Sequence, residues 1–484
     1  MEKFYITTSI PYASAGPHVG HILDPLIADV LARYHRDVKN EEVKFLVGTD
    51  EHGIKIVRTA EAQNKTPKQL VDENSAKYRA LKETLNLSYT DFIRTTDREK
   101  HWPGVIKMWN LLLEAGKIEK RKYRGLYCVG HESFVTEKDL VNGICPDHQK
   151  APEVIEEENW FFKLSDHSKQ IAEALESGKM QVVPESRKNE ILSLIKEGLE
   201  DVSFSRPKKD LSWGVPVPND SEQTMYVWCD ALVNYISAIG YGRDDNEVSK
   251  WWPADIQVIG KDNLRFHAAI WPGMLLAAGL KLPKIIFVHG FVNVDGKKIS
   301  KTVGNVILPE EIVKKYGTDA TRYYFLREFP ATNDGDFSFE KFEERYNGEL
   351  ANGLGNLVAR VLTLASKTNL EIKASDLKEY RNGNTISATR IEISKLMNEF
   401  KFNEVLARIW LLITLADGMV TQEKVWENTD SKKEIMEHLI FSVKNIAQMI
   451  FPFMPATSEK ILKSIDDSGD VVKITKPENL FPRI

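Results

Sequence analysis

The residues with most chemistry to offer stand near the start of the chain, in His18-Val19-Gly20-His21. Residues 4–8 before them have strand character, and a Pro/Gly/Ser-rich loop follows. From His21 onward Ile22, Leu26, Ile27, Val30, Leu31 and Tyr34 recur at helical spacing. That order of strand, turn and helix start sets two imidazoles beside unpaired amides and partial positive charge, a setting that suits a phosphate. Gly20 puts no side chain between them, so a flat group such as a nucleobase can lie against the backbone. Taken alone, the pattern fits two unrelated histidines near a helix start equally well. A second stretch, Gly296-Lys297-Lys298-Ile299-Ser300-Lys301-Thr302-Val303-Gly304-Asn305, follows the strand-like residues 285–288. Its lysines are mobile cations that can close over a triphosphate. A lysine-rich surface loop is the plainer reading, but the two stretches in this order are much harder to obtain by accident.

Further candidates follow the same logic. Residues 42–47 form a buried strand running into Gly48-Thr49-Asp50, and ligands of parallel α/β sheets bind beyond the carboxyl ends of strands. Asp50 therefore faces the crevice of His18 and His21, where it can pair with an ammonium or cap a helix. Residues 256–259 run likewise into Gly260-Lys261-Asp262, with Phe266, His267 and Trp271 on the helix after them. The sheet is expected to resume at residue 225, where Trp228, Leu232 and Tyr235 share one helical face; aromatic stripes at this spacing usually mean core. Cys128, His131, Cys145 and His148 form two C-x2-H pairs, soft and borderline ligands that match tetrahedral zinc, against the alternative of surface histidines and two buried thiols.

The elements that hold these residues divide the chain. Residues 1–115 and 222–284 read as two halves of an α/β, Rossmann-like parallel-sheet domain. An insertion at 116–221 contains the knuckle at 128–148, and residues 285–349 carry the lysine loop. From 350 to 484 the character is wholly helical, with Leu354, Leu357, Val358, Val361 and Leu362 on one stripe and further stripes at 402–419 and 435–449. With 484 residues, 42% hydrophobic and 28% charged, the chain excludes disordered and fibrous classes. Three cysteines argue against a disulfide framework, and the sequence contains neither a secretory leader nor a bilayer-length apolar run, so cytoplasmic residence is expected. A net charge of −5 gives no global attraction to nucleic acid, so RNA binding would need local patches.

On its motifs the sequence resembles the class I aminoacyl-tRNA synthetases. His18 to His21 resembles their HIGH signature and Lys298-Ile299-Ser300-Lys301-Thr302 their KMSKS signature, and the chain is similar throughout to the methionyl-tRNA synthetase family. Val19 stands for the usual aliphatic, and Ile299 and Thr302 replace Met and the last Ser; no histidine or lysine is lost. The resemblance implies ATP-dependent activation of L-methionine to methionyl-adenylate, with Mg2+ accompanying ATP, and transfer to the 3′ end of initiator and elongator tRNA(Met). It implies that His18, His21, Lys298 and Lys301 are catalytic, that Gly20 and Ser300 join them on ATP, and that Gly260 and Asp262 meet the ribose. Asp50 would hold the ammonium, and Ile10, Tyr12, Trp228, Leu232, Tyr235, Phe266, His267 and Trp271 would wall the amino-acid pocket, although proline is common where Leu232 stands. Tyr12 and His267 are expected to offer the thioether weak hydrogen bonds.

The same resemblance implies a zinc knuckle, often with cysteine at the position of His131, and an anticodon-binding bundle. Asn356 and Arg360 lie four apart on one helix face and Trp426 lies in a polar neighbourhood, a trio able to stack on and hydrogen-bond unpaired bases, with Val425 where proline is common. The insertion is too short for the editing domain of the leucine, isoleucine and valine enzymes, and a monomer is expected because no appended dimerising domain follows the bundle. A nucleotidyltransferase of the same superfamily would share the histidine motif but need no bundle, and a tRNA-binding derivative would keep the bundle while losing the histidines and lysines.

Overall fold

Strand β1 (Lys3–Thr8), buried at every residue after Lys3, takes the centre of a parallel sheet because the chain can bury Phe4-Tyr5-Ile6 on both faces. The computed structural model describes residues 2–130, 133–135, 137–147, 149–299, 304–367, 371–375, 384–427 and 433–484. On one side of β1 lie β2 (Glu42–Thr49) and β3 (Asp91–Arg94). The chain then forms β4 (Ile118–Cys128), β5 (Ser133–Val135) and β6 (Glu153–Phe162), which together with β8 (Val202–Ser203) make a separate four-stranded antiparallel sheet. Between β6 and β8, β7 (Gln181–Val183) returns to the main sheet. After β9 (Ser205–Pro207) and β10 (Gln223–Met225), β11 (Ile256–Gly260) and β12 (Ile285–His289) complete the six-stranded order β3-β2-β1-β11-β12-β7. Every residue of β11 is buried, as is every residue of β12 after Ile285, as a parallel strand covered by helices requires.

Two expectations are corrected here. Residues 116–221 are not a single excursion, because β7 within them pairs with β12 at the sheet edge; three residues between two helices carry too little periodicity to be read. Nor does the parallel sheet resume at residue 225. Gln223–Met225 pairs antiparallel with β9, residues Val227–Ala231 and Asn234–Ser237 are helical turns, and the next parallel strand is β11.

By contacts the chain forms two compact units, Met1–Ala28 with His35–Glu83 and Leu87–His289, and Asp29–Tyr34 with Thr84–Asn86 and Gly290–Ile484. The second contains a small sheet of β13 (Val292–Val294), β14 (Lys297–Lys298) and β15 (Gly335–Phe337), followed by packed helices that include Thr318–Glu328, Asn356–Ser366, Phe402–Gln422 and Lys433–Ile450. Leu354, Leu357, Val358, Val361 and Leu362 are all buried, so the apolar stripe faces the helical core. At the base of this unit the fully buried Arg322 pairs with Asp29 at 2.7 Å and donates to the carbonyls of Leu85, Pro452 and Phe453. One guanidinium thereby ties its own helix to three other chain segments through one carboxylate and three backbone carbonyls.

Candidate active site

The loop after β1 is built by its two histidines. The His18 backbone N–H donates to His21 Nδ1 and the Gly20 N–H donates to His18 Nδ1, both at 3.1 Å, so each imidazole caps the single 3₁₀ turn Val19–His21. The α-helix proper, Leu23–Arg33, starts at Leu23 and not at His21, where the apolar spacing places it. Because each Nδ1 accepts, the ring proton sits on Nε2; the two rings are 3.9 Å apart, and His21 Nε2 lies 3.5 Å from the Tyr78 hydroxyl. Burial pushes His21 down to about 4, which keeps it neutral at physiological pH. Next in line is Asp24, which accepts from Ser9 Oγ at 2.7 Å and pairs with His289 at the end of β12. Burial alone raises this carboxyl, but His289 and Ser9 outweigh it and hold it below its ordinary value. His289 carried no expectation; its only sequence signal is its place at the end of an apolar strand.

Asp50 emerges from β2 and is pinned by backbone bonds, its N–H to Pro11 O at 2.9 Å and its carbonyl from Ala13 N at 2.8 Å, which brings it alongside Tyr12. The Tyr12 ring meets Trp228 edge-on at 6.2 Å, and Trp228 stacks on Phe266 at 3.5 Å. A second group joins Tyr235, His267 and Trp271, with the Tyr235 hydroxyl 2.6 Å from His267 Nε2 and the Tyr235 and Trp271 rings 6.0 Å apart. Leu232 and Trp271 are buried in the same core, against which Ile10 packs. The expectation that His267 offers a hydrogen bond to a thioether is overturned. Its Nδ1–H donates to the Asn263 carbonyl at 3.0 Å and its Nε2 accepts from Tyr235, and burial pushes it down to about 4, so the neutral ring has no N–H left to give.

At the end of β11, Gly260 pairs in register with His289, and a Cβ on Gly260 would stand 2.8 Å from Asp262 Oδ1. Glycine keeps that edge open, and Asp262 beside it is exposed. In the second unit Lys297 and Lys298 form a strand of a tight hairpin, not a loop: Asp295 and Gly296 turn it with φ of 50° and 71°, and Lys298 Nζ lies 5.6 Å from the Phe291 ring. Ser300 and Lys301 fall outside the described residues. So do His131 and His148 of the knuckle; Cys128, which ends β4, and Cys145 are both buried. Among the described residues no group of three or more metal-ligating side chains comes together. On the helical unit Arg360 is drawn over the Trp426 ring at 5.9 Å, and Asn356 and Arg360 both donate to Asp417, at 3.4 and 2.6 Å. Trp426 is 48% exposed, so an aromatic face is open to solvent beside an arginine. Asp417, which organises the pair, carried no sequence expectation.

The model of tRNA synthetases class I (M) matches residues 4–151 and 139–362, and that of the anticodon-binding domain of tRNA ligase matches residues 384–481. The methionine–tRNA ligase of Clostridium perfringens is 40% identical over 100% of this chain and 78% of its own, and that of Clostridium tetani is 40% identical over 100% and 79%. The chain belongs to the methionine–tRNA ligase family. Mycobacterium tuberculosis methionyl-tRNA synthetase, solved in complex with methionyl-adenylate, superposes with a TM-score of 0.91 at 33% identity, covering 100% of both chains. As a methionine–tRNA ligase the chain is a class I enzyme that uses ATP with Mg2+, with a Rossmann-like parallel sheet followed by a helical anticodon-binding domain. No helix among the described residues is long and apolar enough to cross a membrane.

His21 and His267 set a pH signature. Unfolded, each protonates near 6.5, whereas in the fold His21 and His267 protonate near 4, so between those values the folded chain binds fewer protons and loses stability as pH falls. In a histidine NMR titration both rings should stay neutral down to about pH 5. A ring that titrates near 6.5 would contradict the burial argument.

Proposed function

We propose that the side chains assembled at the carboxyl edge of the sheet activate L-methionine and that the helical unit selects tRNA(Met). In the first step a methionine carboxylate oxygen attacks the α-phosphorus of ATP, the bond to the β-phosphate oxygen breaks, and pyrophosphate leaves with both electrons. No side chain need be a nucleophile, and positioning with charge stabilisation does the catalysis. His18 and His21 present neutral Nε2–H donors to the phosphates. Lys298 and Lys301 stabilise the departing pyrophosphate, and Ser300 and Gly20 are assigned to ATP binding. Gly260 and Asp262 hold the ribose, and Asp50 holds the ammonium. Ile10, Tyr12, Trp228, Leu232, Tyr235, Phe266, His267 and Trp271 enclose the side chain; His267 does so as a fixed wall. A hydroxyl of the terminal tRNA ribose then attacks the acyl carbonyl and AMP leaves. Residues 285–349 carry the lysine stretch and the contacts to the tRNA stem, and residues 350–484 read the anticodon. The observation that carries this reading is the pair of neutral histidine donors on the same sheet edge as the buried Asp50 and its aromatic neighbours.

Amino-acid-dependent exchange of pyrophosphate into ATP should respond to methionine and not to leucine or isoleucine. His21→Ala and Lys301→Ala should each slow adenylate formation by on the order of a hundredfold, about 3 kcal/mol, with little change in methionine affinity. An unchanged single-turnover rate would remove them from the mechanism.

Zinc belongs to the same reading, held by Cys128, His131, Cys145 and His148. Two buried thiols at the ends of tight turns suit it, and the metal would stabilise the local fold without entering the reaction. Protein purified without chelator should contain one zinc per chain by elemental analysis; none would leave the knuckle held by packing. The reading also has the enzyme as a cytoplasmic monomer, since the exposed large apolar side chains among the described residues are scattered over many elements. A dimer in sedimentation velocity would correct that point.

Anticodon reading is assigned to Asn356, Arg360 and Trp426, supported by the open indole face beside the Asp417-held guanidinium. Trp426→Ala should lower charging of tRNA with a CAU anticodon at least tenfold, about 1.4 kcal/mol, while sparing methionine-dependent exchange. Equal loss in both assays points to misfolding, and no loss in either moves the reading site elsewhere.

A further inference from the structure

Three buried side chains away from the phosphates meet in an arrangement that neither step above uses. Asp230, fully buried two residues after Trp228, takes His52 Nδ1 on one carboxylate oxygen at 2.5 Å and His101 Nε2 on the other at 2.6 Å. His52 lies two residues after Asp50. His101 directly precedes the helix Trp102–Glu114, and its Nδ1 lies 2.8 Å from Ser237 Oγ in the turn Asn234–Ser237. Gly104 permits this approach, since a Cβ there would fall 2.9 Å from Ser237 Cβ and 2.8 Å from Tyr241 O. Both histidines are themselves buried, so the carboxylate is held entirely by ring nitrogens in a dry site. Burial raises this carboxyl, and the two imidazoles outweigh it. An apolar cluster of similar volume would join these segments at lower cost in desolvation, so the charged arrangement points to a need for defined geometry rather than for adhesion.

The segments joined are those on which methionine recognition rests. We propose that Asp230 is a positioning residue for the amino-acid pocket: through His52 and His101 it fixes the segment bearing Asp50 against the helical turn bearing Trp228, and so sets the span between the ammonium site and the aromatic wall. This rests on the assignment of Asp50 and Trp228 to methionine made above. The ATP side has its own ties, the mutual capping of His18 and His21 and the Ser9–Asp24–His289 chain, and none passes through Asp230. Loss of Asp230 should therefore fall on one substrate.

Steady-state pyrophosphate exchange on the full chain tests this with Asp230→Asn, which keeps the volume but turns an amide N–H toward one of the imidazoles. The KM for methionine should rise at least tenfold, with kcat and the KM for ATP within threefold of the parent. Should that variant not fold, as judged by circular dichroism, His101→Leu should raise the methionine KM at least fivefold, and His101→Gln, which retains an N–H donor, should recover most of it. A folded Asp230→Asn with an unchanged methionine KM, or with both KM values raised alike, overturns the proposal, as does failure of the glutamine to recover. Asp50→Asn run alongside separates the two readings. If it weakens methionine binding while Asp230→Asn does not, only the positioning role fails; if neither does, the assignment of the pocket fails with it.

Discussion

The parallel ladder between β1 and β11 is the constraint on which the site depends. Its register, Ile6 to Ile256 through Thr8 to Val258, brings the carboxyl ends of the two central strands level, and the chain order reverses between them. Loops leaving β1 and β2 therefore diverge from those leaving β11 and β12, opening a crevice at that edge. Ser9 is tied to Val258 by a backbone bond at 2.8 Å, and the next residues carry Ile10, Tyr12 and the histidine turn. Asp50, Gly260 and His289 arrive at the same edge from three other strands. The helices and the antiparallel sheet keep those strands dry and aligned.

Within that crevice the protein relies on neutral donors. His18 and His21 use Nδ1 on each other's backbone turn, so the local fold itself selects the tautomer that presents Nε2–H. A neutral ring loses less solvation on burial than an imidazolium does. His267 shows the opposite economy: both nitrogens are spent on Asn263 and Tyr235, and what remains is a stiff, flat surface.

Much of this was legible because the signals are local. Residues 4–8, 42–47, 256–259 and 285–288 read as strands from buried apolar runs, and each is a strand of the parallel sheet. The histidine turn, Asp50 and the aromatic stripes were visible for the same reason, since type and spacing survive in one dimension. What was hidden depends on long-range pairing. β7 is three residues whose only mark is its partner β12, and Gln223–Met225 has strand character but belongs to another sheet. The loss of donors from His267 could not be read from its own neighbourhood alone, because Tyr235 is 32 residues away. Asp230 and Asp417 were invisible for a further reason: an acidic residue on a helix looks like surface until the imidazoles or guanidinium that hold it are known.

The buried pair of Arg322 and Asp29 bears on modularity. The helix Leu23–Arg33 carries Asp24 in its first turn, and its residues from Asp29 onward belong to the unit that contains the packed helices. A gene fragment beginning at Gly290 would encode nearly all of that unit yet leave a buried guanidinium without its carboxylate and without the Leu85 carbonyl. The compact units are thus interleaved along the chain rather than strung end to end. Exchange of the anticodon-reading part between relatives by recombination at that point would have to preserve an aspartate about 260 residues upstream, which makes inheritance as one piece the path of least resistance.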